Sequence, residues 1–213
     1  MQLSLYPVRA CGVHFLSTQS EIRNGICLVV AERVIFPHCS YYEMKKTFAI
    51  LNEMVADGAI ENYAIAGAIG AIFYVEPFST QDIDVFILMP ETQNELIAKI
   101  PEWDYLRDRG YSEIRGEAII IEDWPVQFMP VSNALEEEAY LNAETLPFED
   151  TPVRVVLAEH LVAIMLKLGR PKDFARVQMF LSQDAVEREA LLNVIERHGL
   201  EEKWKAFQSR FLS

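Results

Sequence analysis

The sequence predicts a mixed α/β domain, with a β-sheet flanked by helices, followed by a helical C-terminal part. Short apolar segments of strand length alternate with segments of helical period between residues 44 and 156. From residue 157 to residue 213 only helical periods recur. A hydrophobic content of 51% and a charged content of 24% are typical of a globular chain.

The first 43 residues differ from the rest of the chain. They contain all three cysteines and show no clear helical period. The cysteine spacing fits neither a disulfide framework nor a pattern of zinc ligands. We therefore predict an N-terminal appendage of uncertain structure at 1–43, an α/β domain at 44–156, and a helical part at 157–213 packed on that domain.

The elements of the α/β domain follow in order from Met44. Apolar residues recur at helical spacing in "MKKTFAILNEMVADG". "NYAIA" then predicts a short buried strand, which leads through Gly67 into the short helix "AIGAIFYV". "DIDVFILM" predicts a central strand, because its residues after the two acids are apolar on both faces. "PETQNELIAKI" and "PEWDYLRDRG" predict two helical pieces divided at Pro101.

The second half of the domain predicts further strands and one acidic helix. "YSEIRGEAIII" and "PVQFMPV" predict strands around the turn "EDW", and "PVRVVLA" predicts one more strand. Ser132 is the expected cap of the helix "NALEEEAYLNA", with 136–138 on a solvated face. The C-terminal part predicts four helices, in "EHLVAIMLKLG", "KDFARVQMFL", "AVEREALLNVIERHG" and "EEKWKAFQSRF".

The charge of the chain restricts its partners. A net charge of −13 opposes non-specific binding to nucleic acid, which depends on phosphate neutralisation. A polyanionic substrate therefore requires a local basic patch, and four basic residues lie close together in sequence: Lys167, Arg170, Lys172 and Arg176. No apolar run reaches the ~20 residues of a membrane span, and a signal peptide is not evident. We therefore predict a cytoplasmic protein that does not contact a membrane.

Two acids at the start of the predicted central strand are the main candidates for chemistry. Asp82 and Asp84 are two residues apart, so their side chains share one face of the strand, about 6.6–6.8 Å apart along it. Carboxylates at this separation can converge on divalent cations. The alternative is a polar turn with two solvated acids.

The surroundings of the acids favour the metal site. Gly67 lies fifteen residues before Asp82, at a strand end where backbone amides can approach a phosphate group. Ser79 and Thr80 immediately precede the acids. The sequence contains neither GxxxxGK[ST] nor GxGxxG, which excludes the P-loop and Rossmann motifs.

"AGAIGA", "STQDIDVFI" and "EHLVAIMLKLGRPKDFARV" together resemble motifs of the nucleotidyltransferase superfamily with the DNA polymerase β-like fold. The resemblance covers about residues 47 to 182 and is greatest to the branch of AbiEii-type toxins and minimal nucleotidyltransferases. It implies a nucleotidyltransferase-like mixed sheet, with Mg²⁺ or Mn²⁺ held by catalytic Asp82 and Asp84. It also implies a set of nucleotide-binding residues: Gly67, Ala68, Thr80, Lys167 and Lys172.

The function implied by the resemblance is transfer of a nucleoside monophosphate from an NTP to an acceptor hydroxyl. The acceptor is expected to be RNA or protein, and a cognate partner protein of the toxin–antitoxin kind is expected. Two departures from the family pattern stand out. Ala68 replaces a small polar residue, and Gln127 occupies the position that best matches a third carboxylate. Three acids of the same hairpin are the alternatives for that carboxylate: Glu117, Glu122 and Asp123. A neutral amide cannot act as a base. The alternative is therefore a catalytically impaired nucleotide-binding or protein-interaction module.

Overall fold

The computed structural model describes residues 41–76, 80–89 and 101–212. Its helices are α1 (Tyr41–Ala56), α2 (Gly67–Ala71), α3 (Pro101–Asp108), α4 (Ala134–Leu141), α5 (Ala158–Leu168), α6 (Pro171–Ser182), α7 (Arg188–Arg197) and α8 (Glu201–Phe211). Its strands are β1 (Ala64–Ile65), β2 (Ile83–Ile87), β3 (Ile114–Arg115), β4 (Ala118–Ile121), β5 (Trp124–Pro130), β6 (Glu144–Phe148) and β7 (Thr151–Val155).

The strands form one mixed sheet in the order β3-β4-β5-β2-β1-β7-β6. β2 pairs parallel with β5 and antiparallel with β1, and β1 pairs parallel with β7. The remaining neighbours, β3 with β4, β4 with β5 and β6 with β7, are antiparallel. A mixed sheet with helices around it confirms the predicted fold class. β2, which contains Asp84, is the central strand of the seven.

Both faces of the sheet are covered by apolar side chains. Alternate residues of β2 point in opposite directions, so Val85 packs in one apolar cluster and Phe86 in the other. The cluster around Val85 includes Phe48 and Leu51 of α1. The cluster around Phe86 includes buried residues from α4 to α8, such as Leu161 of α5. The helical part therefore packs on the face of the sheet toward which Phe86 points.

The structure adds one strand to the prediction. The described residues begin at Tyr41, which already lies in α1, so the predicted start of the domain at Met44 stays a prediction. β6 was not expected, because the proline and the polar residues of "ETLPF" hide its pattern. It is an edge strand that pairs with β7 and places Pro147 opposite Pro152, where an edge tolerates a missing amide donor. The predictions for residues 1–40 and for "PETQNELIAKI" lie outside the described residues.

The strands before Gln127 form two consecutive hairpins. Glu122 and Asp123 have φ values of 49° and 67°, as a tight two-residue turn requires, and β5 begins directly after them. "YSEIRGEAIII" is two strands, β3 and β4, because Gly116, with φ of 66°, turns the chain between them. This second turn was not predicted.

The prediction that residues 136–138 lie on a solvated face of α4 is wrong for Glu138. Its carboxylate accepts a hydrogen bond from Arg197 and is paired with the ring nitrogens of His160 and His198, at 3.1 and 2.8 Å. The hydrogen bond from Arg197 and those from the two histidines lower the pKa of Glu138 to about 2. Glu138 therefore joins α4 to α5 and α7. The cap of α4 is Asn133, which accepts from the amide of Glu136, rather than Ser132.

Hydropathy along the helices agrees with the absence of an apolar run in the sequence. Within residues 41–76, 80–89 and 101–212, no helix has both the length and the apolar character needed to cross a bilayer.

Candidate functional site

Asp84 lies at the centre of the sheet, between two neighbouring strands. On one side, the amide of Ala66 donates to the carbonyl oxygen of Asp84 at 2.8 Å, which continues the antiparallel pairing of β1 with β2. On the other side, β5 runs parallel to β2 and places Gln127 directly opposite Asp84. The turn at Gly67 and the side chain of Gln127 therefore flank this acid from opposite sides.

Gly67 lies directly against the carboxylate of Asp84. Its φ of 56° is in the left-handed region, and a Cβ atom at this position would overlap Oδ2 of Asp84. The position therefore requires glycine for two reasons, the backbone conformation and the space that the acid occupies. Gly67 and the buried Ala68 also begin α2, and the first amides of a helix have no acceptor within it.

Asp82 is oriented by the residue two positions before it. The hydroxyl of Thr80, which is 9% exposed, donates to Oδ1 of Asp82 at 3.2 Å. Thr80 therefore contacts an acid of the pair, and its predicted role as a nucleotide-binding residue stays a prediction. Asp82 is itself partly buried, next to the first residue of β2.

The two carboxylates influence one another. Burial, and after it the negative charge of Asp82, raise the pKa of Asp84 to about 6. Three cations act in the opposite direction and lower the same pKa: Lys172, Arg170 and Arg176. We call these three residues the basic cluster. Asp84 is therefore a partly buried acid whose ionisation is opposed by its surroundings and only partly compensated by cations.

The basic cluster is held in place by a buried acid at the start of α6. Asp173 is fully buried and accepts from Arg170 through both carboxylate oxygens, at 2.6 and 3.1 Å. It also accepts from the backbone amide of Arg170, at 3.3 Å, and so caps the helix. Lys172 is exposed beside it, while the side chain of Arg176 is 15% exposed. The "RPKD" step thus fixes positive charge near the acid pair.

Lys167 has a different environment from the basic cluster. Its ammonium donates to Oδ1 of Asn133 at 2.7 Å. Asn133 follows β5, which continues for about 10 Å of strand beyond Gln127 before it ends at Pro130. In this conformation the Lys167 ammonium is directed toward the cap of α4. The phosphate-facing role that the resemblance gives it stays a prediction.

Gln127 has a carboxylate as its partner. Its Nε2 donates to Oε2 of Glu117 at 2.9 Å, from the turn that precedes β4. Glu122, in the turn between β4 and β5, accepts from Tyr111 at 2.7 Å and pairs with Lys46. Glu117, in the turn between β3 and β4, contacts the residue opposite Asp84.

The described residues contain no cluster of three or more metal-ligating side chains of the His, Cys, Asp or Glu types. What they bring together is a pair of carboxylates, Asp82 and Asp84. A pair is enough for a cation such as Mg²⁺, which proteins often bind through one or two carboxylates together with substrate phosphates.

Comparison with known proteins adds to the description of the fold. No family model and no curated protein matches the sequence. Among solved structures, the chain is similar to an antigenic nucleotidyltransferase-like protein from Paracoccidioides brasiliensis, at 14% identity and a TM-score of 0.51, over 79% of this chain and 95% of that chain. This similarity confirms the predicted nucleotidyltransferase-like fold.

Two further solved structures are similar at lower scores. One is ANT(2")-Ia in complex with adenylyl-2"-tobramycin, at 14% identity and a TM-score of 0.46, over 79% of this chain and 98% of that chain. The other is the Megavirus polyadenylate synthase, at 15% identity and a TM-score of 0.43, over 81% of this chain and 40% of that chain.

Sequence analysis did not find two of the contacts at this site. The pairing of Glu117 with Gln127 depends on the unpredicted turn at Gly116, which brings Glu117 back along β5. The burial of Asp173 was also missed. Its position as the third residue of a helix that begins with a proline is a capping signal that could have indicated it.

The close contact between Gly67 and Asp84 can be tested by adding one methyl group. Gly67→Ala should destabilise the protein by more than Gly116→Ala. Both residues have positive φ, but only Gly67 has a neighbour within 4 Å of the new Cβ among the described atoms. The overlap should cost about 1–3 kcal/mol beyond the shared backbone strain. Urea denaturation of the two variants measures the difference.

The Asp84→Ala background supplies the control for this prediction. With the carboxylate removed, most of the cost of Gly67→Ala beyond that of Gly116→Ala should disappear, because the overlap with Oδ2 and Cγ is gone and only the Cβ of residue 84, at 3.0 Å, stays close. An equal cost of Gly67→Ala in the presence and absence of the Asp84 side chain would show that the two residues do not touch.

The raised pKa of Asp84 predicts a specific pH dependence in metal-free protein. Its folded pKa of about 6 exceeds the ordinary value of 3.8, so the folded state holds this proton more tightly than the unfolded state. The resulting stabilisation is present below pH 4 and is lost as the pH rises through 6. Asp84→Asn removes the loss. Its stability relative to wild type should therefore increase by on the order of 2 kcal/mol between pH 4.5 and 7.5.

This comparison is made by chemical denaturation in the presence of a chelator. The titration of all other groups is shared by the two proteins and cancels in the difference. A stability difference that stays constant across this pH range would mean that Asp84 titrates as an ordinary solvated acid.

Proposed function

We propose that this chain is a nucleotidyltransferase that transfers a nucleoside monophosphate from an NTP to an acceptor hydroxyl. The observation that carries the proposal is the environment of Asp84. This partly buried carboxylate lies beside Asp82, against the backbone of Gly67 and close to the positive charges of the basic cluster. Two acids next to a cation-rich helix start and a glycine turn can bind a metal–triphosphate complex, which carries charge of both signs.

The residues present fit a divalent cation. Asp82 and Asp84 offer hard oxygen ligands, and the repulsion between them is part of the raised pKa of Asp84. Mg²⁺ or Mn²⁺ held by both carboxylates would relieve this repulsion and keep Asp84 ionised at neutral pH. When bound, the cation supplies charge neutralisation at the transferring phosphate.

The other side chains have roles that follow from their positions. Lys172, exposed at the start of α6, provides a mobile positive charge for the triphosphate, and Arg170 is fixed beside it by Asp173. Gly67 and Ala68 offer backbone amides at the start of α2, where no side chain separates them from Asp84. Thr80 orients Asp82 through its hydroxyl group.

The acceptor is proposed from the sequence resemblance. Because the sequence resembles AbiEii-type toxins, we propose RNA or protein as the acceptor of the nucleotide. The same resemblance suggests a cognate partner protein in a toxin–antitoxin pair. The net charge of −13 requires that any RNA be bound through a local patch such as the basic cluster rather than through the whole surface.

A second candidate function is a nucleotide-binding or protein-interaction module without turnover. The observation that favours it is Gln127, which the register of β2 with β5 places opposite Asp84, where the family pattern has a carboxylate. An amide cannot accept the proton of an attacking hydroxyl. In this case the chain binds NTP and metal but transfers no nucleotide.

Metal and nucleotide binding can be measured through thermal stability. Wild-type protein with Mn²⁺ or Mg²⁺ and NTP at about 100 times Kd should gain about 2.7 kcal/mol, or ~5–11 °C in Tm. Asp84→Asn should abolish this gain, because a neutral amide is a weaker ligand. Asp108→Asn, an exposed substitution on α3, should keep it. An unchanged wild-type Tm in the presence of metal and NTP would contradict both candidate functions, the nucleotidyltransferase and the nucleotide-binding module.

The basic cluster and Lys167 can be compared by the same method. Lys172→Met should weaken binding of the metal–NTP complex about tenfold or more, because a charge-assisted phosphate contact is worth roughly 1.5–3 kcal/mol. Lys167→Met should cause a smaller loss, since the Lys167 ammonium is held by Asn133. Titration calorimetry gives both affinities. An unchanged affinity in Lys172→Met would return this lysine to a role in surface charge alone.

A further inference from the structure

The hydrogen bond between Gln127 and Glu117 places an acid at the edge of the candidate site. The Nε2 group of Gln127 donates to Oε2 of Glu117 at 2.9 Å. Gln127 is also the residue directly opposite Asp84 on the neighbouring parallel strand, and adjacent strands lie about 4.8 Å apart. One amide side chain therefore separates the carboxylate of Glu117 from the acid pair.

Side chains alternate between the two faces of the sheet along β5, and this alternation determines the face on which Gln127 lies. Val126 and Phe128 pack in the apolar cluster with α1, whereas Gln127 and Met129 point to the opposite face. Asp84 points to that same face, because its neighbours Ile83 and Val85 belong to the cluster with α1. The side chains of Gln127 and Asp84 therefore share the face toward which the basic cluster is directed.

Glu117 combines an anchored oxygen with exposure to solvent. Its Oε2 is fixed by Gln127, while the residue as a whole is exposed. The turn at Gly116 positions it just before β4. An acceptor hydroxyl that arrives from solvent can reach such a carboxylate.

We propose that Glu117 is the general base of the transfer reaction and that Gln127 is the positioning residue that holds it. The acceptor hydroxyl gives its proton to the carboxylate of Glu117 as its oxygen forms a bond to the α-phosphorus. The bond from that phosphorus to the bridging oxygen of the β-phosphate breaks, pyrophosphate leaves with the electron pair, and Glu117 later returns the proton to water. The carboxylate that the family pattern places on the strand, at position 127, is supplied here by Glu117 in the turn before β4.

This inference rests on the proposed nucleotidyltransferase function, and the test separates the two. Nucleotide transfer is followed with α-³²P-labelled NTP, Mn²⁺ and either total RNA or bulk protein as acceptor. Binding of NTP and Mn²⁺ is followed separately through Tm. Glu117→Gln should lower transfer by 10²–10⁴-fold, the usual contribution of a general base. It should leave the stabilisation by NTP and Mn²⁺ within error of wild type.

Two matched variants complete the design. Glu113→Gln makes the same change of charge at an exposed position, where the acid pairs with Arg115, and it should transfer at the wild-type rate. Gln127→Glu introduced into Glu117→Gln exchanges the acid and the amide, and it should recover transfer at least tenfold. The rise of the transfer rate with pH that a carboxylate base produces should disappear in Glu117→Gln.

The outcomes distinguish the claims. Wild-type transfer in Glu117→Gln overturns the role of Glu117 and leaves the nucleotidyltransferase proposal standing. Loss of stabilisation by NTP and Mn²⁺ in that variant overturns it too, because Glu117 would then be a ligand rather than a base. A wild type that binds NTP and Mn²⁺ but transfers to neither acceptor overturns it in favour of the binding module. A wild type that binds neither refutes the proposed function itself.

Discussion

The contact between the carboxylate of Asp84 and the backbone of Gly67 is the constraint on which the site depends. The acid can lie at the centre of the sheet only because position 67 has no Cβ and adopts a positive φ. The same glycine turns the chain from β1 into α2, so the first amides of that helix lie beside the acid. One residue therefore makes room for the carboxylate and begins the short helix next to it.

Several charged side chains lie around the contact between Asp84 and Gly67. The whole sequence carries a net charge of −13, yet three cations converge on Asp84 from the start of α6. Asp173, fully buried, fixes the first of them and caps the helix at the same time. An acidic protein with a local cationic cluster can select a phosphate group without general affinity for nucleic acid.

Much of this arrangement could be predicted from the sequence, because local patterns carry it. The continuous apolar run of "DIDVFILM" predicted a central strand with Asp82 and Asp84 at its start. The C-terminal helices were predicted from the helical spacing of their apolar residues. The missed features depend on pairing between distant segments. The contact of Gln127 with Glu117 needs a hairpin register, and the ion pair of Glu138 needs Arg197, fifty-nine residues away. No periodicity within one segment encodes such pairs.

The account is tested most directly by locating a bound cation. Crystals grown with Mn²⁺ and a non-hydrolysable NTP analogue would give an anomalous diffraction signal from manganese. We expect a peak in contact with carboxylate oxygens of both Asp82 and Asp84, with the triphosphate between that peak and Lys172. A manganese peak elsewhere, or a triphosphate bound away from these acids, would contradict the assignment of this site.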